Sequence, residues 1–299
     1  MPDRVVRPTG PLAFLLLLAV AAVAFTEASG LAARPVERVA LVTVVAEDGL
    51  PIRDLTAAEF VVKEDGKKRE VSGARLATDQ LNVALMLDVA QPPRGAALPT
   101  KELRTAATAF VRTIHGVNPD ARIALWQVAS APIVTVDFTS KTDDLTNAIA
   151  VLFPNQQSGA VILEAVQMAG KQLAEKRTSR RAMVTVDFNS PEGSVDGMLQ
   201  KAADSVTNSG ATLWSASIRP GPGTSQNREE LLDRMTKVSG GRRYSGSDAL
   251  AIESMLKKIA ASLTSQYLVT FTSPNDNPAK VTLFETTRGP KVLPTPFMR

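Results

Sequence analysis

The chain has 299 residues, 34 basic and 30 acidic side chains, a formal charge of +4, no cysteine and one histidine, His115. Thiolate zinc sites, cysteine nucleophiles, redox pairs and disulfide frameworks are excluded, as is any site needing two imidazoles. What survives is oxygen chemistry, the donor set suited to Mg²⁺ or Ca²⁺, and 5% aromatic residues are thin for a platform that stacks nucleic-acid bases.

The N-terminus reads as an address. Arg4 and Arg7 precede an unbroken apolar run over residues 12–25, and Thr26, Glu27, Ala28, Ser29 and Gly30 follow it. A basic start, an apolar middle and a small-residue exit are the order of a secretory signal, expected over residues 1–30. A helix over the apolar run reaches about 21 Å, short of the roughly 30 Å hydrocarbon core. Secretion or a periplasmic location is expected, with a retained membrane anchor as the alternative.

Residues 36–76 read as a small β unit. Residues 39–45 form an apolar, β-branched strand, Glu47-Asp48-Gly49 marks a turn, and Thr56 caps one short helical turn. Asp65-Gly66 is a hairpin signal, because glycine takes the positive-φ position at little cost. The unit carries no site chemistry and is read as a packing module.

From about residue 80 the period changes. Strands are expected over 82–87, 122–128, 133–138, 182–186 and 211–218, and helices over 100–114, 142–152, 160–176, 194–208, 227–238 and 248–263. Alternation of this kind predicts an α/β unit over 80–273 with a mainly parallel central sheet and helices on both faces. Residues 274–299 are left as a C-terminal β extension or tail. Trp126 and Trp214 fall inside strands and are expected in the core.

Ligands of such sheets bind beyond the C-terminal strand ends. Asp88 ends the first of these strands, with Gln91 and Arg94 after it; Asp187 ends the fourth, with Asn189 after it. Ser158 lies ahead of the third helix and Arg219 follows the fifth strand, so these seven residues form the expected ligand rim. Gly221-Pro222-Gly223-Thr224-Ser225 lacks the Gly-Lys-Ser/Thr ending of a phosphate loop and is read as a rim loop. His115 precedes Gly116 at a helix end, where its charge complements the dipole.

The segment Asp48-Gly49-Leu50-Pro51-Ile52, with Leu55, Glu59-Phe60, Val62 and Glu64-Asp65-Gly66, precedes the two aspartate-ended strands. In this order the chain resembles von Willebrand factor A-related domain proteins of the bacterial exported type, and the resemblance implies a Rossmann-like fold. It also implies a Mg²⁺ site built from Asp-x-Ser-x-Ser, a threonine and a second aspartate. Asp88 and Asp187 match the aspartates, but Ala90 and Pro92 stand at the serine positions and Ala160 at the threonine position.

Three hydroxyl ligands are thus missing, so Asp88 and Asp187 are residual metal positions only and no cofactor is expected. Two carboxylates on one rim need a cation between them; an arginine, Arg94 or Arg219, is expected to supply it. The expected function is an exported, non-enzymatic protein-binding or scaffold protein. Its partner is another protein, not nucleic acid, and membrane contact runs only through a retained N-terminal segment. The alternatives are a divalent-metal-dependent adhesion module on Asp88 and Asp187, and a hydrolase or nucleotide-binding enzyme. Against the enzyme stands the lack of an assembled base, nucleophile or phosphate loop.

Overall fold

A computed structural model describes residues 35–92, 97–155, 159–178, 180–219, 221, 225–274, 279 and 282–298. The expected signal segment, Arg94 and Ser158 lie outside the described residues. Among those described, no helix is long and apolar enough to cross a membrane.

Among the described residues the first elements are β1 (Val36–Val45), β2 (Phe60–Glu64), β3 (Lys67–Arg69) and β4 (Val71–Leu76). The Thr56 turn is a single 3-10 turn, in which the Thr56 backbone N–H donates to the Glu59 carboxylate at 2.8 Å. The β2–β3 connection is Asp65-Gly66 with φ of 47° and 79°, the left-handed pair that a two-residue hairpin requires.

Alternation follows with β5 (Leu81–Asp88), α1 (Thr100–Val117), β6 (Arg122–Val128), β7 (Pro132–Thr139), α2 (Thr142–Ala150), α3 (Ile162–Ala174), β8 (Arg180–Asp187), α4 (Met198–Ser209), β9 (Thr212–Ile218), α5 (Gln226–Val238), β10 (Arg243–Gly246) and α6 (Ala251–Leu263). The chain closes with β11 (Tyr267–Ser273), β12 (Thr282–Thr286) and β13 (Lys291–Met298).

Six strands form the central sheet in the order β10-β9-β8-β5-β6-β7, parallel throughout except for the edge strand β7. Every residue of β5 and of β9 is buried, as expected of strands covered on both faces. The helices pack in two groups, α1 with α2 and α6, and α4 with α3 and α5. Trp126 and Trp214 are fully buried between these layers, and the Trp214 indole N–H donates to Thr212 Oγ1 at 2.9 Å.

From β5 the chain first adds β6 and β7 on one side, then crosses to add β8, β9 and β10 on the other. The strand order therefore reverses between β5 and β8, at the place where a crevice opens beyond the carboxyl ends of the strands. Those ends carry Asp88 and Asp187.

The two ends of the chain build a second layer. A four-stranded antiparallel sheet runs β13-β1-β11-β4, and a three-stranded one runs β12-β2-β3. Between them lies a separate apolar core that includes Val42, Phe60, Val62, Tyr267, Phe271 and Phe284. The strand β11, which the sequence pattern joins to the central unit, is hydrogen-bonded between β1 and β4. Arg180 ties the two layers at the foot of β8, donating to the carbonyls of Asp79 at 2.8 Å and Leu263 at 2.7 Å.

Candidate functional site

Asp88 and Asp187 are the last residues of neighbouring parallel strands, one step beyond the paired Leu87 and Val186. Asp88 is fully buried, and both its oxygens are occupied. Oδ1 accepts the Ala90 backbone N–H at 2.9 Å, and Oδ2 accepts the Phe188 N–H at 3.2 Å and the Ser190 hydroxyl at 2.8 Å. Burial pushes its pKa up to about 6, against the pull of those three donors and of the Arg228 charge.

Asn189 makes the Ser190 contact possible. Its φ of 59° is left-handed, a conformation asparagine tolerates better than most side chains, and it turns the chain so that the Ser190 hydroxyl points back to Asp88. Asp187 is also buried. Its Oδ2 accepts the Ser217 hydroxyl at 2.5 Å and the Ser215 hydroxyl at 3.5 Å, both from β9.

Of the expected rim, Asp88, Asp187 and Asn189 come together at the β5–β8 crevice, while Gln91 is half-buried just past β5. Arg219 is held in a side-chain cluster: its guanidinium donates to Glu229 and, at 3.1 Å, to the Ser245 hydroxyl, within electrostatic range of Asp187. Arg243 joins the same cluster. It donates from Nε to Ser217 at 2.9 Å and from its terminal nitrogens to Glu229 and Asp233 at 3.0–3.1 Å.

The cation beside Asp88 is a residue the sequence reading missed. Arg228, in the first turn of α5, is fully buried, lies 3.8 Å from the Glu192 carboxylate and acts electrostatically on both Asp88 and Glu192. Its signal was in the spacing: Arg228, Leu231, Leu232 and Met235 share one helical face, and all four are buried. A charge at that place on an apolar stripe marks a buried partner.

Glu192 is that partner. The chain after β8 bridges to Ala160, with the Gly193 N–H donating to the Ala160 carbonyl at 2.9 Å. This places Glu192 against the start of α3, where burial pushes its pKa up to about 7 although the Ser194 hydroxyl, Arg228 and the Leu163 N–H oppose it. Ser194 also donates to Glu164, which accepts the Val195 N–H at 2.9 Å.

A divalent cation of the Mg²⁺ kind needs about six oxygens in near-octahedral array. Here Asp88 has spent its oxygens on internal donors, Ala90 and Ala160 present methyl groups, and a guanidinium stands where added positive charge is repelled. Among the described residues no three carboxylate or imidazole side chains are grouped to hold a metal. The residues present do not fit such an ion.

His115 lies far from this crevice, in the last turn of α1. It is buried; Nε2–H donates to the Ala121 carbonyl at 3.1 Å, and Nδ1 accepts the Thr142 hydroxyl at 2.8 Å. Burial lowers its pKa, so the ring acts as a neutral bridge between α1 and α2 rather than as the charged cap that the sequence suggested.

No protein-family profile and no curated protein sequence matches the chain. Solved structures do. The PilB minor pilin of Streptococcus sanguinis superposes with a TM-score of 0.51 at 9% identity, over 63% of this chain. The chain spans 62% of that pilin's length. The vWF domain of the type V pili tip protein Mfa5 of Porphyromonas gingivalis gives 0.48 at 13% identity, over 62% of this chain and 95% of the domain. An aerotolerance-related membrane protein of Bacteroides fragilis gives 0.47 at 14% identity, over 61% and 98%. The parallel sheet with one antiparallel edge, and its reversal between two aspartate-ended strands, decide the architecture. It is a Rossmann-like α/β fold, the one that the resemblance to von Willebrand factor A-related domains implies. On this scaffold, the rim is occupied by an arginine–carboxylate network.

Proposed function

We propose that the chain is an exported binding or scaffold protein that meets a protein partner through the crevice end of its von Willebrand factor A fold, without a divalent cation and without catalysis. The observation that carries this reading is the state of Asp88: buried, saturated by three internal donors, and facing a buried arginine charge. A rim of this kind contributes shape and fixed hydrogen bonds instead of an open metal coordination site. Around it, Phe153, Ile133 and Val195 are exposed at 70%, 61% and 63%, apolar surface of the kind that partners cover. The serines at the crevice lack a histidine base, since His115 is committed elsewhere.

The test pairs two measurements. Calorimetric titration of the purified protein with Mg²⁺ and Mn²⁺ is expected to give no micromolar site; a site abolished by Asp88→Ala overturns the metal-free reading. Crosslinking and mass spectrometry in the native envelope fraction is expected to return one recurrent protein partner, whose capture is unchanged by EDTA. Loss of capture in EDTA favours the metal-dependent adhesion reading.

A further inference from the structure

A second recognition site lies beside the Arg219 cluster, where the edges of two sheets face each other. The strand β10 ends the central sheet and β13 ends the four-stranded sheet; between them is a cavity of about 430 Å³. Its lining includes Lys237, Arg242, Arg243 and Lys291 against a single acid, Asp233. Arg243 already holds Asp233 at 3.0 Å and Glu229 at 3.0 Å. Lys237, Arg242 and Lys291 make no salt bridge among the described residues. Arg242 is placed by stacking over the Tyr244 ring, 5.2 Å from its centre.

We propose that this slot binds an extended acidic peptide segment of a protein partner. Two features select a peptide over other anions. One wall is the edge strand β10, which among the described residues pairs with β9 alone, so its outer backbone groups are available to an added strand. The four residues of β10 also span about 13 Å, a length over which an extended chain repeats same-side carboxylates every ~7 Å. Acidic side chains at alternate positions then meet Lys237 and Arg242 from one wall and Lys291 from the other. The slot shares Arg243 and Ser245 with the Arg219 cluster. Lys237, Arg242 and Lys291 belong neither to it nor to the Asp88–Arg228–Glu192 group, so the test on these three cations can fail or succeed separately from the reading of the crevice.

Fluorescence anisotropy with the purified full chain tests this, using a labelled peptide that alternates Glu and Val and a control in which Gln replaces Glu. The Glu peptide is expected to bind, to weaken with added salt, and to lose about tenfold or more in affinity when Lys237→Glu, Arg242→Glu and Lys291→Glu are combined. Circular dichroism checks that the triple variant folds, and the single variant Lys291→Glu, at an exposed position, keeps the test alive if it does not. Equal binding of the Gln peptide overturns the proposal, as does a charge reversal without effect on the folded protein. Displacement of the peptide by inorganic phosphate or phosphatidylglycerol vesicles at lower concentration than by unlabelled peptide also overturns it, and reassigns the slot to a phosphate or lipid headgroup.

Discussion

Glu192 makes the protein less stable as pH rises towards neutrality. Its carboxyl has an ordinary pKa of 4.5 when the chain is unfolded and one pushed up to about 7 when it is folded, because burial penalises the charged form. Below pH 4.5 both states hold the proton and the folded state keeps its full stability. Between 4.5 and 7 the unfolded state has released the proton and the folded state has not, so stability falls by about 1.4 kcal/mol per pH unit. Over that window the loss comes to about 3 kcal/mol, and above it the contribution is flat. Asp88 works in the same direction at lower pH, between 3.8 and about 6. From pH 6 to 7 the remaining opposing contribution is that of His115, whose unfolded ring titrates at 6.5, so Glu192 is isolated by the difference between the wild type and a variant that lacks this carboxyl. Urea unfolding of the wild type and of Glu192→Gln, which stays neutral and keeps an acceptor for Ser194, should show the wild-type free energy falling relative to the variant's across that stretch. Parallel curves, or a wild-type stability that rises relative to the variant's, refute the assignment of Glu192 as a buried acid.

Three further outcomes follow from contacts already described. Arg228→Met removes the cation that faces Asp88 and Glu192, and should cost about 3 kcal/mol near pH 8; the cost should shrink towards pH 5, where Glu192 holds its proton, as read by chemical denaturation at both values. In Gly241→Ala the new Cβ would stand 1.9 Å from the Leu213 carbonyl oxygen, a backbone clash that flexible side chains cannot relieve. A loss of roughly 2 kcal/mol or more is expected, measurable as a fall in melting temperature; unchanged melting would contradict the β9–β10 geometry. The His115 ring should titrate below its ordinary 6.5 in an NMR pH series. Since the folded pKa is the lower one, its contribution is present at neutral pH and lost as pH falls through that value.

Much of the central sheet was legible because its strands are continuous apolar runs. Residues 122–128 were placed to the residue, and β5, β8 and β9 to within two at either end. The strand β10 was not read: Arg-Tyr-Ser-Gly is short and carries neither an apolar run nor an alternating pattern. The last strand contains Pro294 and Pro296, which argue against a central strand and are tolerated here because β13 lies at a sheet edge. The two aspartates were legible as strand ends. Of the loop arginines the sequence pointed to, Arg219 lies within electrostatic range of Asp187; the cation that acts on Asp88 was not legible, because Arg228 sits on a helix face turned inward. Glu192 was missed for a related reason. Nothing local distinguishes it from a loop carboxylate, and its burial arises only when the chain after β8 bridges to Ala160.

The layout of the end-to-end sandwich has a consequence for how the protein is made. A ribosome delivers β1 ahead of the other described strands, yet its two sheet neighbours, β11 and β13, are more than two hundred residues further along the chain. Until they arrive, β1 has no strand to pair with on either edge, and contacts this distant in sequence are slow to form. The strand is thus a stretch of unprotected template throughout synthesis, open to chaperones or to a second nascent copy. Arrival of β13 pairs β1 with the last of the described strands, so a chain that stops before Lys291 carries a β1 that never finds its outer neighbour.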